Sequence, residues 1–243
     1  MDTLVVIPAR LSSVRLTKKM FADIGGKPLI RRTYESVVAS DVGEVIVACD
    51  GEEIASVIRD AGGRAVITDP SLPSGTDRVF AAWSAYDTNA KFKFIVNVQG
   101  DLPFIDKEFI ITGVESIKEK RYDITTLASA IKNDSYLQES VVKPVIAFTS
   151  ENSGKALYFS RSPIPFNGPY FCHVGIYCFQ AESLRKFVNL PQSPLEKGEK
   201  LEQLRALENN MTIGIDTIDR DPPITIDTAS DLEQARKYFE SLK

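Results

Sequence analysis

Four short, almost wholly apolar runs recur through the first half of the chain: TLVVIP (3–8), EVIVAC (44–49), RAVIT (64–68) and KFIVNV (93–98). Runs of this length with so few polar interruptions read as strands covered on both faces. Between them the apolar residues change to helical spacing. Pro28 sits where a helix would begin, and Leu29, Ile30, Tyr34, Val37 and Val38 follow it. Ile54, Val57, Ile58 and Ala61 form a second stripe, closed by Gly62-Gly63. A chain that alternates strand and helix in this way has few options, and an α/β fold on a parallel sheet with right-handed crossovers is expected.

The second half changes character. VVKPVIAFT (141–149), KALYFS (155–160) and YFCHVGIYCF (170–179) read as longer strands, with SENSG (150–154) as a turn between the first two. PLEKGEKLEQLRALE (194–208) reads as helical, and so does TASDLEQARKYFESL (228–242), where Thr228 and Asp231 make a capping-box-like start. No repeat, linker or low-complexity tract separates the halves. The expected organisation is a single domain over 1–243 with a mostly parallel sheet and a small antiparallel lobe at about 125–190.

In open parallel sheets, ligands bind beyond the carboxyl ends of the strands. Three expected strand ends carry polar groups there: Arg10 after the first, Asp50 after the second, and Gln99-Gly100-Asp101 after the fourth. The first of these loops, ARLSSVRLTKK, holds Arg10, Arg15, Lys18 and Lys19. Charge runs are usually solvated surface, so a solvated turn is one reading and a polyphosphate cradle is the other. The chain as a whole is acidic, with 29 Lys and Arg against 33 Asp and Glu, which disfavours a general nucleic-acid binder. The GxGxxG fingerprint is missing after the first strand, so a nicotinamide dehydrogenase fits poorly. Cys49, Cys172 and Cys178 are scattered, without CxxC spacing, as suits a reducing compartment. No apolar run approaches a membrane span, and no basic leader precedes the first apolar stretch. A cytoplasmic protein without a membrane segment is expected.

The segments IPARLSSVRL, GGKPLI, SGTDR, NVQGD, ALYFSR, HVGIY, LEQLRALE and IDTASDL resemble, in the same order, the motifs of the 3-deoxy-manno-octulosonate cytidylyltransferase family. The resemblance spans essentially the whole chain. It implies a Rossmann-like nucleotidyltransferase sheet and the synthesis of CMP-KDO from CTP and the eight-carbon sugar acid KDO, with release of pyrophosphate, for lipopolysaccharide biosynthesis. It also implies Mg2+ as cofactor and a cytoplasmic homodimer.

Carried over position by position, the resemblance implies a catalytic set of Arg10, Arg15, Lys19, Asp101 and Asp227. Arg10, Ser13, Arg15 and Lys19 match the loop that wraps the triphosphate. Ser74, Gly75, Arg78 and Gln99 match the other nucleotide contacts, and Ser74 or Thr76 would cap the helix that starts there. Asp101 and Asp227 match the magnesium ligands, a pair of hard carboxylates of the kind this ion takes alongside phosphate and water. Read without the resemblance, Asp101 could cap a turn before Pro103 and Asp227 the last helix. Gln99, Arg161, His173, Tyr177, Glu202 and Gln203 match the sugar side. Strand alternation puts Phe171, His173, Gly175 and Tyr177 on one face, where a lone histidine is more often structural than ligating. No side chain is required as the general base, and His173 is the one candidate.

The chain departs from the family pattern in four places. Leu16-Thr17-Lys18-Lys19-Met20 lacks the usual Pro and Gly, Leu102 replaces a common polar residue, and Cys172 stands where a basic residue often precedes the histidine. The stretch PFNGPYFCH (165–173) is also shorter than the usual insert. It leaves open the same chemistry on an 8-amino KDO variant or another acidic sugar. A non-catalytic nucleotide-sugar sensor is the rival of a different class, against which the retained aspartates and basic loop residues speak.

Overall fold

The computed structural model describes residues 1–12 and 16–242, and the chain forms two compact units, Met1–Ile110 with Pro223–Lys243 and Ile111–Pro222. In the first unit β1 (Thr3–Ala9) is buried along its whole length, as its unbroken apolar run requires. A two-stranded hairpin follows, β2 (Asp23–Ile24) and β3 (Lys27–Pro28), turned through Gly25 and Gly26 at φ 59° and 81°. Then come α1 (Leu29–Val38), β4 (Glu44–Cys49), α2 (Glu52–Asp60), β5 (Arg64–Ile67), α3 (Gly75–Tyr86), β6 (Phe94–Val98) and α4 (Lys107–Glu119), the last continuing into the second unit. The strands lie in the order β5-β4-β1-β6, all parallel, with Val6 opposite Ile46 and Val5 opposite Val96.

Each helix buries part of the stripe its spacing predicts: Leu29, Ile30 and Val37 on α1, joined by Thr33, and Ile54 and Ile58 on α2, joined by Ala55. Tyr34, Val57 and Ala61 are half-buried, and Val38, in the last turn of α1, is exposed. The Gly62-Gly63 stop acts as expected, with the Gly63 N–H returning to the Ile58 carbonyl at 2.8 Å. RAVIT differs from the other apolar runs. It forms the edge strand β5, where Arg64 and Ile67 are exposed, so its apolar character reflects strand propensity rather than cover on two faces.

The second unit contains β7 (Ile124–Ala130), β8 (Lys143–Ser150), β9 (Ser153–Ser160), β10 (Phe171–Gln180), α5 (Ala181–Val188), α6 (Pro194–Glu199), α7 (Gln203–Glu208) and β11 (Ile213–Ile218). Its strands run in the order β10-β7-β11-β9-β8. Only β7 and β11 pair in parallel; the remaining pairs are antiparallel. The stretch 194–208, which reads as one helix, is two. Lys200 takes a left-handed conformation (φ 56°) between them, and Arg205 on α7 returns to Glu196 on α6 in a buried two-pronged ion pair, with contacts of 2.8 and 2.5 Å.

The last helix, α8 (Ala229–Ser241), belongs to the first unit. Thr228 and Asp231 form its capping box as the sequence predicts. Phe239 closes it over the hairpin, where a Cβ on Gly25 would fall 1.9 Å from the ring, and Arg32 lies 4.0 Å from that ring's centre. Among the described residues no helix is long and apolar enough to cross a membrane.

Candidate active site

Two aspartates and one lysine converge in the first unit. Asp101 follows β6 through Gln99 and Gly100. A Cβ on Gly100 would stand 2.8 Å from the Pro8 carbonyl oxygen, so the residue before Asp101 must be glycine for this loop to lie against β1. The Thr33 hydroxyl fixes the same loop by donating to the Gly100 carbonyl at 3.0 Å. Asp227 reaches the cluster from the other end of the chain. The Ile226 N–H donates to the Asp101 carbonyl at 3.1 Å, and the Asp231 carboxylate accepts the Asp227 and Thr228 N–H groups at 3.0 and 2.8 Å.

Lys19 closes the arrangement. It opens a single 3-10 turn, Lys19–Phe21, anchored by buried Met20 and preceded by Lys18 at φ 52°. Its ammonium lies 2.9 Å from Asp101 Oδ2 and 3.0 Å from Asp227 Oδ1, with only 12% of the side chain exposed. Burial alone would depress the Lys19 pKa, but Asp101 and then Asp227 outweigh it and hold it above the ordinary lysine value. Asp101 Oδ1 is buried and has no hydrogen-bond partner among the described residues. The N-cap of α8 is Thr228, and Asp101 gives one oxygen to Lys19 and, among the described residues, leaves the other unpaired. Among the described residues no three His, Cys, Asp or Glu side chains gather as a metal cluster. Two carboxylates with a spare buried oxygen suit a hard divalent cation that takes its remaining ligands from phosphate and water.

A second group lies at the ends of β1, β4 and β6. Asp50, at the end of β4, accepts the Leu11 N–H on Oδ1 at 2.8 Å, which anchors the start of the basic loop. Its Oδ2 stands 3.9 Å from Arg78 Nη2, both side chains being almost fully buried. Arg78 Nη1 donates to Thr68 Oγ1 at 2.5 Å. Burial lowers the Arg78 pKa, Asp50 opposes that shift, and nearby Arg10 adds to it. Arg10 itself is exposed. Two guanidiniums near enough to repel form a setting that an anion would relieve. Ser74, rather than Thr76, caps α3: its hydroxyl accepts the Asp77 N–H at 3.2 Å, while Thr76 pairs with Asn97. Gly75 lies beside Pro8 and Gln99, whose amide donates to Asn97 at 3.1 Å. The expected phosphate contacts Ser13 and Arg15 lie outside the described residues.

The sugar-side residues all lie in the second unit, apart from Gln99 in the first. His173 Nε2 is 2.8 Å from Thr126 Oγ1, and its ring meets Phe159 edge-on and lies near Tyr177. Burial pushes its pKa down to about 3, so the imidazole is neutral at ordinary pH although the residue keeps some exposed surface. The Tyr177 hydroxyl donates to Gln203 Oε1 at 3.0 Å, and burial, then Glu202, raise its pKa. Gln203 Nε2 is buried without a hydrogen-bond partner among the described residues. Arg161 donates from Nε and Nη1 to the Glu199 and Glu139 carbonyls, both at 2.9 Å. Just behind it lies a residue that sequence reading passed over. Lys143 is fully buried, and its ammonium donates to the carbonyls of Gln138, Val141 and Arg161.

The sequence matches the family described as Cytidylyltransferase over residues 4–213. A 3-deoxy-manno-octulosonate cytidylyltransferase of Rickettsia bellii is 44% identical, covering 100% of this chain and 98% of that protein. The chain belongs to the 3-deoxy-manno-octulosonate cytidylyltransferase family. A cytidylyltransferase of the same name from Parvibaculum lavamentivorans is 46% identical over 96% of this chain and 91% of that protein. Among solved structures, CMP:2-keto-3-deoxy-manno-octonic acid synthetase complexed with CTP aligns over 100% of both chains, with TM-score 0.91 and 32% identity. A cytidylyltransferase from Leptospira borgpetersenii, 16% identical with TM-score 0.66 over 99% of this chain and 87% of that one, shares the fold. The chain is therefore a nucleotidyltransferase, and the α/β class read from its strand–helix alternation is the family's own.

Proposed function

We propose that the chain transfers the cytidylyl group of CTP to KDO, giving CMP-KDO and pyrophosphate. The observation that carries this reading is the convergence of Lys19, Asp101 and Asp227, separated along the chain but joined at 2.9 and 3.0 Å, in a protein 44–46% identical to enzymes of that name. The reaction is an in-line attack of the sugar's anomeric hydroxyl on the α-phosphorus, with pyrophosphate leaving. Such transfers depend mainly on positioning and on stabilising charge.

Asp101 and Asp227 are assigned as the Mg2+ ligands, supported by their hard oxygens and the unpartnered Asp101 Oδ1. Bound there, the ion would neutralise α-phosphate charge and acidify the attacking hydroxyl. Arg10 and Lys19 offset charge on the departing pyrophosphate, with Ser13 and Arg15 assigned to the same loop from the motif. Ser74, Gly75, Arg78 and Gln99 seat the nucleotide, the first two at the amino end of α3, where main-chain N–H groups favour an anion. On the sugar side, Gln203 Nε2 is a buried donor in want of an acceptor, which a sugar hydroxyl or carboxylate supplies. Arg161, Tyr177 and Glu202 are assigned with it. His173 fits as a neutral hydrogen-bonding group, since an imidazole with its pKa pushed down to about 3 is too weak a base to take the hydroxyl proton.

A cytoplasmic homodimer serving lipopolysaccharide synthesis completes the proposal. Exposed Phe148, Leu157 and Phe166 in the second unit support the dimer. Pyrophosphate release with CTP, Mg2+ and a panel of KDO, 8-amino KDO and sialic acid tests the whole reading. Turnover with KDO is expected to be fastest, and no turnover with any acidic sugar would overturn it.

A further inference from the structure

The Lys19 ammonium lies between the two carboxylates assigned to the metal, 2.9 Å from Asp101 Oδ2 and 3.0 Å from Asp227 Oδ1. A compact point charge held this close to two carboxylates performs the electrostatic task of a divalent ion. Lys19 does so from one end of a short 3-10 turn, next to exposed Thr17 and Lys18. Both aspartates, by contrast, are tethered through their own main-chain groups, the Asp101 carbonyl to Ile226 and the Asp227 N–H to Asp231. The lysine is therefore the member of the cluster best placed to leave.

Resting on the metal assignment above, we infer that Lys19 is a placeholder cation: its ammonium neutralises Asp101 and Asp227 until a divalent cation arrives with a triphosphate, and then moves to the phosphates. Two consequences follow from charge alone. The vacant protein should bind a free divalent cation poorly, because an ammonium must first be displaced. Nucleotide and metal should load together, because the triphosphate supplies the anion that the displaced ammonium needs. The lysine thus contributes twice to the same reaction, once by guarding the metal site and once by holding the leaving group.

The test measures Mn2+ binding to nucleotide-free protein by the electron paramagnetic resonance signal of free Mn2+, for wild type, Lys19→Met, Lys19→Gln and the double variant Lys19→Met/Asp101→Asn. Thermal unfolding with and without Mn2+ serves as a second readout. Removing the competing ammonium should tighten Mn2+ binding about tenfold or more in both single variants, the range for loss of a charge-assisted contact. The double variant should lose that gain. Unchanged or weaker Mn2+ binding in both single variants, with the double variant weaker still, overturns the placeholder and leaves the metal assignment standing. Equal Mn2+ binding in all four proteins overturns both.

Discussion

The Ile226 N–H donates to the Asp101 carbonyl at 3.1 Å, and this one main-chain bond places the segment carrying Asp227 against the loop carrying Asp101. Neither side chain takes part in it. The carboxylates come together because the chain between Pro223 and Thr228 returns to the first unit, where Asp231 then takes the Asp227 N–H. The site is built from backbone contacts and used through side chains, and its variants separate accordingly.

Asp101→Asn and Asp227→Asn keep side-chain size and remove a metal-binding charge. Pyrophosphate release in saturating CTP, KDO and Mg2+ should fall by roughly two orders of magnitude or more in each, the loss of several kcal/mol of charge stabilisation. The circular dichroism spectrum should stay that of the wild type. Turnover near the wild-type rate in either variant would remove that residue from the metal site.

Asp231→Ala acts one step further out. It breaks the capping box of α8 and frees the Asp227 N–H, so a stability loss of about 1 kcal/mol is expected, or roughly 2–4 °C in the melting midpoint. Turnover should fall several-fold with it, because Asp227 loses a tether. Thr228→Ala removes the cap but leaves the contact to Asp227, so it should cost similar stability with less loss of turnover. Equal turnover in the two variants would contradict the tether.

How much of this was legible beforehand depended on where the information resides. Apolar runs and helical stripes are properties of residue types, so β1, β4, β6, α1 and α2 could be read off, as could the Thr228 capping box. The break at Lys200 could not, because a left-handed lysine leaves no mark in composition and is held by the Glu196–Arg205 pair across it. The same division runs through the site. Asp101 and Asp227 stood out as carboxylates inside recognisable motifs, whereas Asp231 as a tether, Thr68 beneath Arg78 and the carbonyl cage of Lys143 depend on tertiary partners. Acceptors supplied by the main chain are invisible in a sequence, since every residue carries one.

Lys143→Met tests that cage. The substitution keeps length but takes the ammonium donor from the carbonyls of Val141 and Arg161, while the Gln138 carbonyl keeps the Val141 N–H at 3.2 Å. At about 1–3 kcal/mol for an acceptor left unpaired away from water, the melting midpoint should drop by several degrees. A midpoint within a degree of wild type would show that water reaches those carbonyls.

His173 predicts a signature in stability against pH. Its folded pKa is depressed to about 3, while the unfolded chain has the ordinary value near 6.5. Between those values the unfolded state binds the extra proton, so the stabilising contribution is complete above about pH 6.5 and is lost progressively as pH falls towards 3. Urea midpoints should therefore fall less steeply from pH 6.5 to 4.5 in His173→Gln than in wild type, the carboxylates contributing equally to both. Parallel slopes would mean that the imidazole is protonated in the folded protein.

The basic loop supplies the last prediction. If it cradles a triphosphate, Lys19→Ala and Arg15→Ala should weaken CTP far more than CMP, because their partners are the β- and γ-phosphates that CMP lacks. A charge-assisted contact of about 1.5–3 kcal/mol corresponds to roughly a tenfold to hundredfold loss. Lys18→Ala should be milder and of the same sign, since Lys18 is exposed and the inward position beside Asp101 and Asp227 belongs to Lys19. Calorimetric titration of CTP and CMP into each variant separates a cradle from a solvated turn. A solvated turn leaves both affinities within a few-fold of wild type in all three variants. A loss at Lys18 exceeding that at Lys19 would move the phosphate contact one residue along the loop, and equal losses for CTP and CMP would place these charges away from the β- and γ-phosphates altogether.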